Sequence, residues 1–188
     1  MKRDLESFCK KILGFGMSLT RSGMKEEWKD IPDFPEHLVS NLGEIYNMRT
    51  KNILVVSPNQ QRVARVALLR DGKQFQRSVS LLVARAFIPQ PYPHFNTPIN
   101  LDGVRNNCRV DNLSWRPRWF SARYHRQFER SEVKLANRPI MDVTANQVFI
   151  NMKAVCVTYG VLATDVLNSI HADHYVFPLG HTFRYINP

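Results

Sequence analysis

The sequence predicts an α+β protein assembled from small modules, and three observations predict it. Residues 26–70 hold short apolar runs broken by turn residues, the mark of antiparallel strands. The apolar period changes to a helical one at 79–87, at 118–130 and twice between 152 and 170. Between these helical stretches stand further turn signals, so strands and helices follow one another along the chain. A length of 188 residues accommodates two or three modules of this kind.

Taken in order, residues 4–14 suit a short amphipathic helix, because Leu5, Phe8, Cys9, Ile12 and Leu13 recur at helical spacing before Gly14-Phe15-Gly16 ends it. Such a helix packs on its own protein or docks on a partner. A polar link runs from Thr20 to Lys25. Asn41-Leu42-Gly43 is a turn, and 44–48, 53–56 and 63–69 read as strands. Asp71-Gly72 joins 63–70 to 73–79 as a two-residue hairpin, since both turn positions take positive φ. At 79–87, Leu82, Val83, Ala86 and Phe87 fit a helix that Pro89 stops. Pro89, Pro91, Pro93 and Pro98 make 89–98 a loop, and Asp102-Gly103 and Asn106-Asn107 mark turns.

The helix at 118–130 carries Phe120, Tyr124 and Phe128 on one stripe and Arg123, Arg126 and Arg130 on a neighbouring face. Trp119 joins the aromatic side chains expected in the core, as do Leu113 and Trp115. In the last third, 139–143 and 147–150 form a hairpin around Thr144-Ala145-Asn146. Helices at 152–159 and 162–170 flank Gly160-Val161, and a strand at 181–186 closes the unit.

Lys and Arg number 26 against 16 Asp and Glu, a net charge of +10, with a pI of about 9.9. The balance favours a polyanionic partner, nucleic acid before an anionic membrane surface. No apolar run approaches a membrane span, and the charged residues of the first eleven positions argue against a secretion signal. Cys9, Cys108 and Cys156 lie far apart with no Cys-x-x-Cys pair, which speaks against structural zinc or a disulfide framework and for a reducing compartment. His171, His174 and His181 are spread over a loop and a strand and do not make a metal site.

Three segments in order resemble one family. Glu27-Trp28-Lys29-Asp30-Ile31-Pro32 followed by Val39-Ser40-Asn41-Leu42-Gly43-Glu44-Ile45 resembles the nuclease-associated module that opens many phage and intron-encoded HNH homing endonucleases. Val79 to Pro89 with Ile99 to Trp115 resembles their HNH core. Arg138 to Val143, the helix pair and Phe183-Arg184-Tyr185 resemble the intron-encoded-nuclease repeat, a helix-turn-helix-like DNA reader. With the N-terminal helix and linker read from its spacing at 1–25, the resemblance implies three further segments: a nuclease-associated β module at 26–78, a ββα-metal-like HNH core at 79–130 and a helix-turn-helix-like unit at 131–188.

In that family a histidine two residues before the Asp-Gly turn is the general base, and the residue before it binds a divalent metal. Here the resemblance places Asn100 at the base position and Ile99 at the ligand position, counted back from Asp102-Gly103. The Asn of the Leu-x-Trp element is Asn112, the last ligand position falls near Ser121, and an earlier family histidine is Ser80. An amide does not titrate near neutral pH, so Asn100 cannot be a general base. Ile99 has no oxygen for a hard cation and Ser121 is a weak ligand. No catalytic residue, metal or cofactor is therefore expected, with Mg²⁺ or Mn²⁺ required if cleavage survives through a site rebuilt from His94, Asp102 or His125.

Arg105, Arg109, Arg116, Arg118, Arg123, Arg126 and Arg130 surround this centre, opposed in the interval only by Asp102, Asp111 and Glu129. The planar guanidinium fork suits phosphate. Thr164 and Asn168 on the last helix have base-reading chemistry. The first expectation is thus a double-stranded DNA-binding protein of phage type, cytoplasmic or nucleoid-associated, derived from an HNH nuclease and acting as a regulator or DNA-contacting subunit. The alternatives are a metal-dependent nicking endonuclease, and a nucleoprotein subunit that docks through 4–14 and contacts RNA or DNA.

Overall fold

The computed structural model describes residues 24–129 and 138–186. The helix expected at 4–14, with its docking role, and Arg130 lie outside them. Within them the chain is α+β, with twelve strands and four helices. Strands β1 (Trp28–Asp30), β2 (His37–Ser40), β3 (Ile45–Asn47) and β4 (Asn52–Ile53) form an antiparallel meander in that order. Strands β5 (Ser57–Pro58), β6 (Ala64–Arg70) and β7 (Lys73–Ser78) form a second sheet. Asp71 and Gly72 turn the β6–β7 hairpin with φ of 51° and 73°, the twist that matches two right-twisted strands. Helix α1 (Val79–Phe87) follows at once, over the range its period predicts.

The centre of the chain is a second hairpin. β8 (Thr97–Asn100) pairs antiparallel with β9 (Leu113–Arg116), and a 3₁₀ turn (Val110–Asn112) leads into β9. Helix α2 (Arg118–Glu129) packs on β8. The C-terminal unit contains β10 (Ile140–Asp142), β11 (Gln147–Phe149), helices α3 (Met152–Tyr159) and α4 (Ala163–Ala172), and β12 (Phe183–Tyr185), with β10 central in its sheet. The Asn151 side chain accepts from the Ala154 N–H and starts α3, and Gly160 ends it in the left-handed region.

Several expectations change. β1 and β2 fall in the region read as short strands but were not delimited individually: all four β2 residues are buried, so no polar alternation marks it. The strand expected at 53–56 contracts to Asn52–Ile53. Pro98, placed in a loop, lies inside β8 opposite Trp115. A two-stranded sheet leaves β8 one open edge, where a residue without an N–H is tolerated. The expected break between 78 and 79 is not a break in packing, because Phe34, Ile45, Leu68, Val79, Val83 and Trp115 share one core. A second core fills the C-terminal unit around Ile140, Val155, Val166 and Phe183. A third, of Ile99, Phe120, Tyr124 and Leu162, joins the two. No helix among the described residues is long and apolar enough to cross a membrane.

Candidate functional site

The β8–β9 hairpin and α2 bring the residues singled out by sequence into one place. Ile99 is 0% exposed and packs in the apolar cluster with Phe120, Tyr124 and Leu162. Asn100 is buried beside it. Its Nδ2 donates to the Asn107 carbonyl at 2.8 Å, which fixes the amide orientation. Its backbone N–H donates to His125 Nε2 at 3.3 Å, and its Oδ1 stands 3.3 Å from the same nitrogen.

Asn112 is wholly engaged. Its Oδ1 accepts from the Asp102 N–H at 3.0 Å, and its Nδ2 donates to Asp102 Oδ1 and to the Asn107 carbonyl, each at 2.9 Å. Asp102 in turn accepts from the Val104 N–H at 2.8 Å and from Asn107 Nδ2 at 2.7 Å. These bonds close a network of amides and one carboxylate between hairpin and loop, in which each acceptor oxygen already holds a donor.

His125 lies one turn beyond Ser121 on α2. Its Nδ1 faces the Ser121 carbonyl at 3.0 Å and must donate there, which leaves Nε2 as acceptor for Asn100. Burial, and then the charge of Arg105, lowers its pKa from 6.5. Its basic nitrogen is thus neutral and already in use. His94 is elsewhere, stacked on Tyr92 with ring centroids 5.6 Å apart. Ser80 is buried and bonds the Ser78 hydroxyl at 3.0 Å.

A divalent cation does not fit this donor set. The side chain at the expected ligand position is a buried hydrocarbon, Asn112 Oδ1 is occupied by an N–H, and both Asp102 oxygens accept from internal donors. Among the described residues no group of three or more His, Cys, Asp or Glu is placed to hold a metal.

The expected cations divide. Arg118, Arg123 and Arg126 are exposed along α2. Arg105 pairs with Glu129 at 3.4 Å, and Arg109 forks onto Asp111 with two bonds of 3.2 Å. Arg116 is buried, which corrects its expected role. It is 7% exposed, and its guanidinium bonds the carbonyls of Tyr159, Gly160 and Trp115 and the Ser114 hydroxyl. Trp119, expected in the core, is 55% exposed, whereas Phe120 and Tyr124 are fully buried. Thr164 and Asn168 are exposed one turn apart on α4, on a common face. His181 bonds the buried Asp142 carboxylate at 2.7 Å. Burial alone raises the Asp142 pKa, but the Ala145 N–H, the Tyr159 hydroxyl and His181 together hold it below the usual value.

One surface escaped the sequence reading. The β6–β7 register sets Arg65, Ala67 and Leu69 opposite Ser78, Gln76 and Gln74, so Arg65, Gln74 and Gln76 share the exposed face of the sheet. Residues 59–78 contain Arg62, Arg65, Arg70, Lys73 and Arg77 against Asp71 alone. Within the hairpin, Arg65 is the cation on that exposed face, whereas Arg70, Lys73 and Arg77 share the face of Val66 and Leu68, where Arg70 and Arg77 lie over the Phe34 and Phe75 rings.

Comparison with known proteins agrees with the sequence-derived resemblance. A NUMOD4 motif matches residues 26–68. The DNA endonuclease I-HmuI of Bacillus phage SP01 is 28% identical over 178 residues, covering 85% of this chain and 97% of that one. An uncharacterised HNH endonuclease of Acanthamoeba polyphaga mimivirus is 29% identical over 89 residues, 47% of this chain, and the match spans only 22% of that longer relative. A solved structure of the homing endonuclease I-HmuI aligns with a TM-score of 0.49 at 24% identity, covering 86% of this chain and 99% of that one. By its motif and its relatives, the chain is similar to phage-type HNH homing endonucleases.

Proposed function

We propose that the protein binds double-stranded DNA without hydrolysing it, as a regulator or a DNA-contacting subunit of a nucleoprotein complex in a phage-infected bacterial cell. The observation that carries this reading is the closed network at the hairpin. Asn100 and Ile99 stand at the positions where the family resemblance implies base and metal ligand, Ile99 is buried in hydrocarbon, and Asn112 is spent on Asp102 and Asn107. Hydrolysis needs a base with a free lone pair and a Lewis acid at the phosphate, and this arrangement offers neither. Binding is supported by the excess of cations, by the exposed Arg118, Arg123 and Arg126, and by Arg65 on the exposed face of the β6–β7 hairpin. It is also supported by a relative described as a DNA endonuclease. Thr164 and Asn168 on α4 are the proposed base-reading side chains.

A second reading, slow metal-dependent nicking, has one observation in its favour: His125 Nε2 still stands 3.3 Å from Asn100 Oδ1. The test is a binding assay and a cleavage assay on the same supercoiled plasmid and phage genomic DNA, with Mg²⁺ and with Mn²⁺. Retention of the DNA with no nicked or linear product is expected. Metal-dependent nicking that disappears in His125→Ala or Asp102→Asn overturns the proposal in favour of the second reading.

A further inference from the structure

The helix pair of the C-terminal unit does not hang from the rest of the molecule by its connecting segment alone. Three side chains of the hairpin–helix core reach the main chain where α3 gives way to α4. Arg116 donates from Nε to the Gly160 carbonyl at 3.1 Å and from Nη2 to the Tyr159 carbonyl at 2.8 Å, taking up the free carbonyls at the negative end of α3. The Tyr124 hydroxyl lies between the carbonyls of Leu101, at 2.7 Å, and Cys156, at 2.9 Å. Gln127 accepts from the Ala163 N–H at 3.0 Å and donates to the Val161 carbonyl at 3.3 Å. Leu162, at the N-terminus of α4, makes no side-chain cap of its own, so Gln127 caps that helix from outside.

The seat beneath these bonds is apolar and tight. Leu162 packs with Ile99, Phe120 and Tyr124. A methyl group on Gly160 would come within 2.8 Å of Leu101 Cδ2, 3.0 Å of Arg116 Nη2 and 3.2 Å of Ile99 Cδ1. The charges of the two helices also meet. Arg123 of α2 opposes the rise that burial, the larger effect, imposes on the Asp165 carboxyl in the first turn of α4, and Thr164 bonds Asp165 at 3.4 Å.

We propose that the hairpin–helix core and the C-terminal helix pair are one rigid DNA-reading body, latched by Arg116, and that the protein accepts a bipartite duplex target at a single spacing. Arg116 is here a positioning residue that touches no DNA. Its cation, surrounded by carbonyls with no carboxylate among its partners, fixes where Thr164 and Asn168 stand relative to Arg118, Arg123 and Arg126. A duplex with the spacing changed satisfies one set of contacts or the other, never both. The inference rests on the DNA-binding reading for its target and on the observed contacts for its rigidity, and the two are tested separately.

Rigidity is read without DNA, from ¹⁵N relaxation of the full chain. Residues 28–129 and 140–185 are expected to share one rotational correlation time in the wild type and to separate in Arg116→Met. Should that variant fail to fold, Gln127→Ala, which removes a strut at a half-buried position, takes its place. Independent tumbling in the wild type overturns the proposal. Spacing is then read by selecting a binding site from random duplexes and inserting two or three base pairs between its parts. The wild type is expected to lose about tenfold to a hundredfold in affinity, the scale of misplaced base contacts, and the latch variant to discriminate several-fold less. Equal wild-type affinity for all spacings overturns the fixed-spacing inference. Joint tumbling with no duplex binding at all overturns the DNA-binding reading and leaves the rigid body standing.

Discussion

Two imidazoles are buried in this molecule, and each is spent on a neighbour. His125 accepts from the Asn100 N–H. At His37, Asn47 Oδ1 takes the N–H groups of Arg49 and Thr50, so its Nδ2 is the group that donates to His37 Nε2 at 3.2 Å. The proton of neutral His37 then sits on Nδ1, which is buried with no partner. Burial is the largest cause that lowers both pKa values from 6.5. Above 6.5 neither the folded nor the unfolded chain holds the extra proton, and stability is at its full value. As the pH falls below 6.5 the unfolded chain takes up protons that the folded imidazoles refuse, so stability is lost until the folded values are reached. The expected loss is up to about 1.4 kcal/mol per pH unit for each histidine. Urea unfolding at pH 7.5 and 5.5 measures it, and His125→Gln should remove its share of the decline. An unchanged decline in that variant would assign the proton uptake to other groups.

At the scale of elements, two glycines separate backbone demand from space. Gly72 and Gly103 both hold positive φ, 73° and 78°. A methyl group on Gly72 meets nothing within 4 Å, whereas one on Gly103 comes within 2.5 Å of the Phe128 ring, which packs edge-on against Tyr124 at 5.2 Å. Gly72→Ala should cost about 1–2 kcal/mol, the left-handed strain alone. Gly103→Ala should cost clearly more, because Phe128 must also leave its place. Thermal or urea unfolding orders the two, and equal losses would show that the ring yields freely.

The same elements show what the sequence could disclose. Asp71-Gly72 and the helix Val79–Phe87 are local signals, turn chemistry and period, and neighbours did not override them. β2 is buried on both faces, so its four residues carry no alternation to read. Pro98 spoke for a loop and sits in a strand because that strand has a free edge. The centre was legible through Asp102-Gly103 and Asn112, whose spacing is local. Arg116 was not: whether an arginine faces phosphate or a helix end 43 and 44 residues away is decided by tertiary packing alone.

For the whole molecule, the expected behaviour is electrostatic holding without a metal. Affinity for duplex DNA should fall with a slope of about −0.9 in log K against log salt for each phosphate neutralised. Replacing Arg118, Arg123 and Arg126 together by Gln should flatten that slope by two to three such increments. Chelation with EDTA should leave affinity unchanged at matched ionic strength. Titrations of fluorescent duplex at several salt concentrations provide all three readings. A slope untouched by the triple replacement would move the phosphate contacts off α2 to cations elsewhere on the surface, and EDTA sensitivity would mean that a cation does take part.

The seat of Ile99 limits what that position can accept. Its side chain is seated against Phe120, Tyr124 and Leu162, with Gly160 pressed close above it. A carboxylate placed at that position would enter dry hydrocarbon, where an unpaired charge is costly, and would loosen the bed on which the helix pair rests. On the proposed reading, building a metal ligand into this hairpin would therefore cost folding before it could serve a cation, so stability and metal binding would compete at one residue.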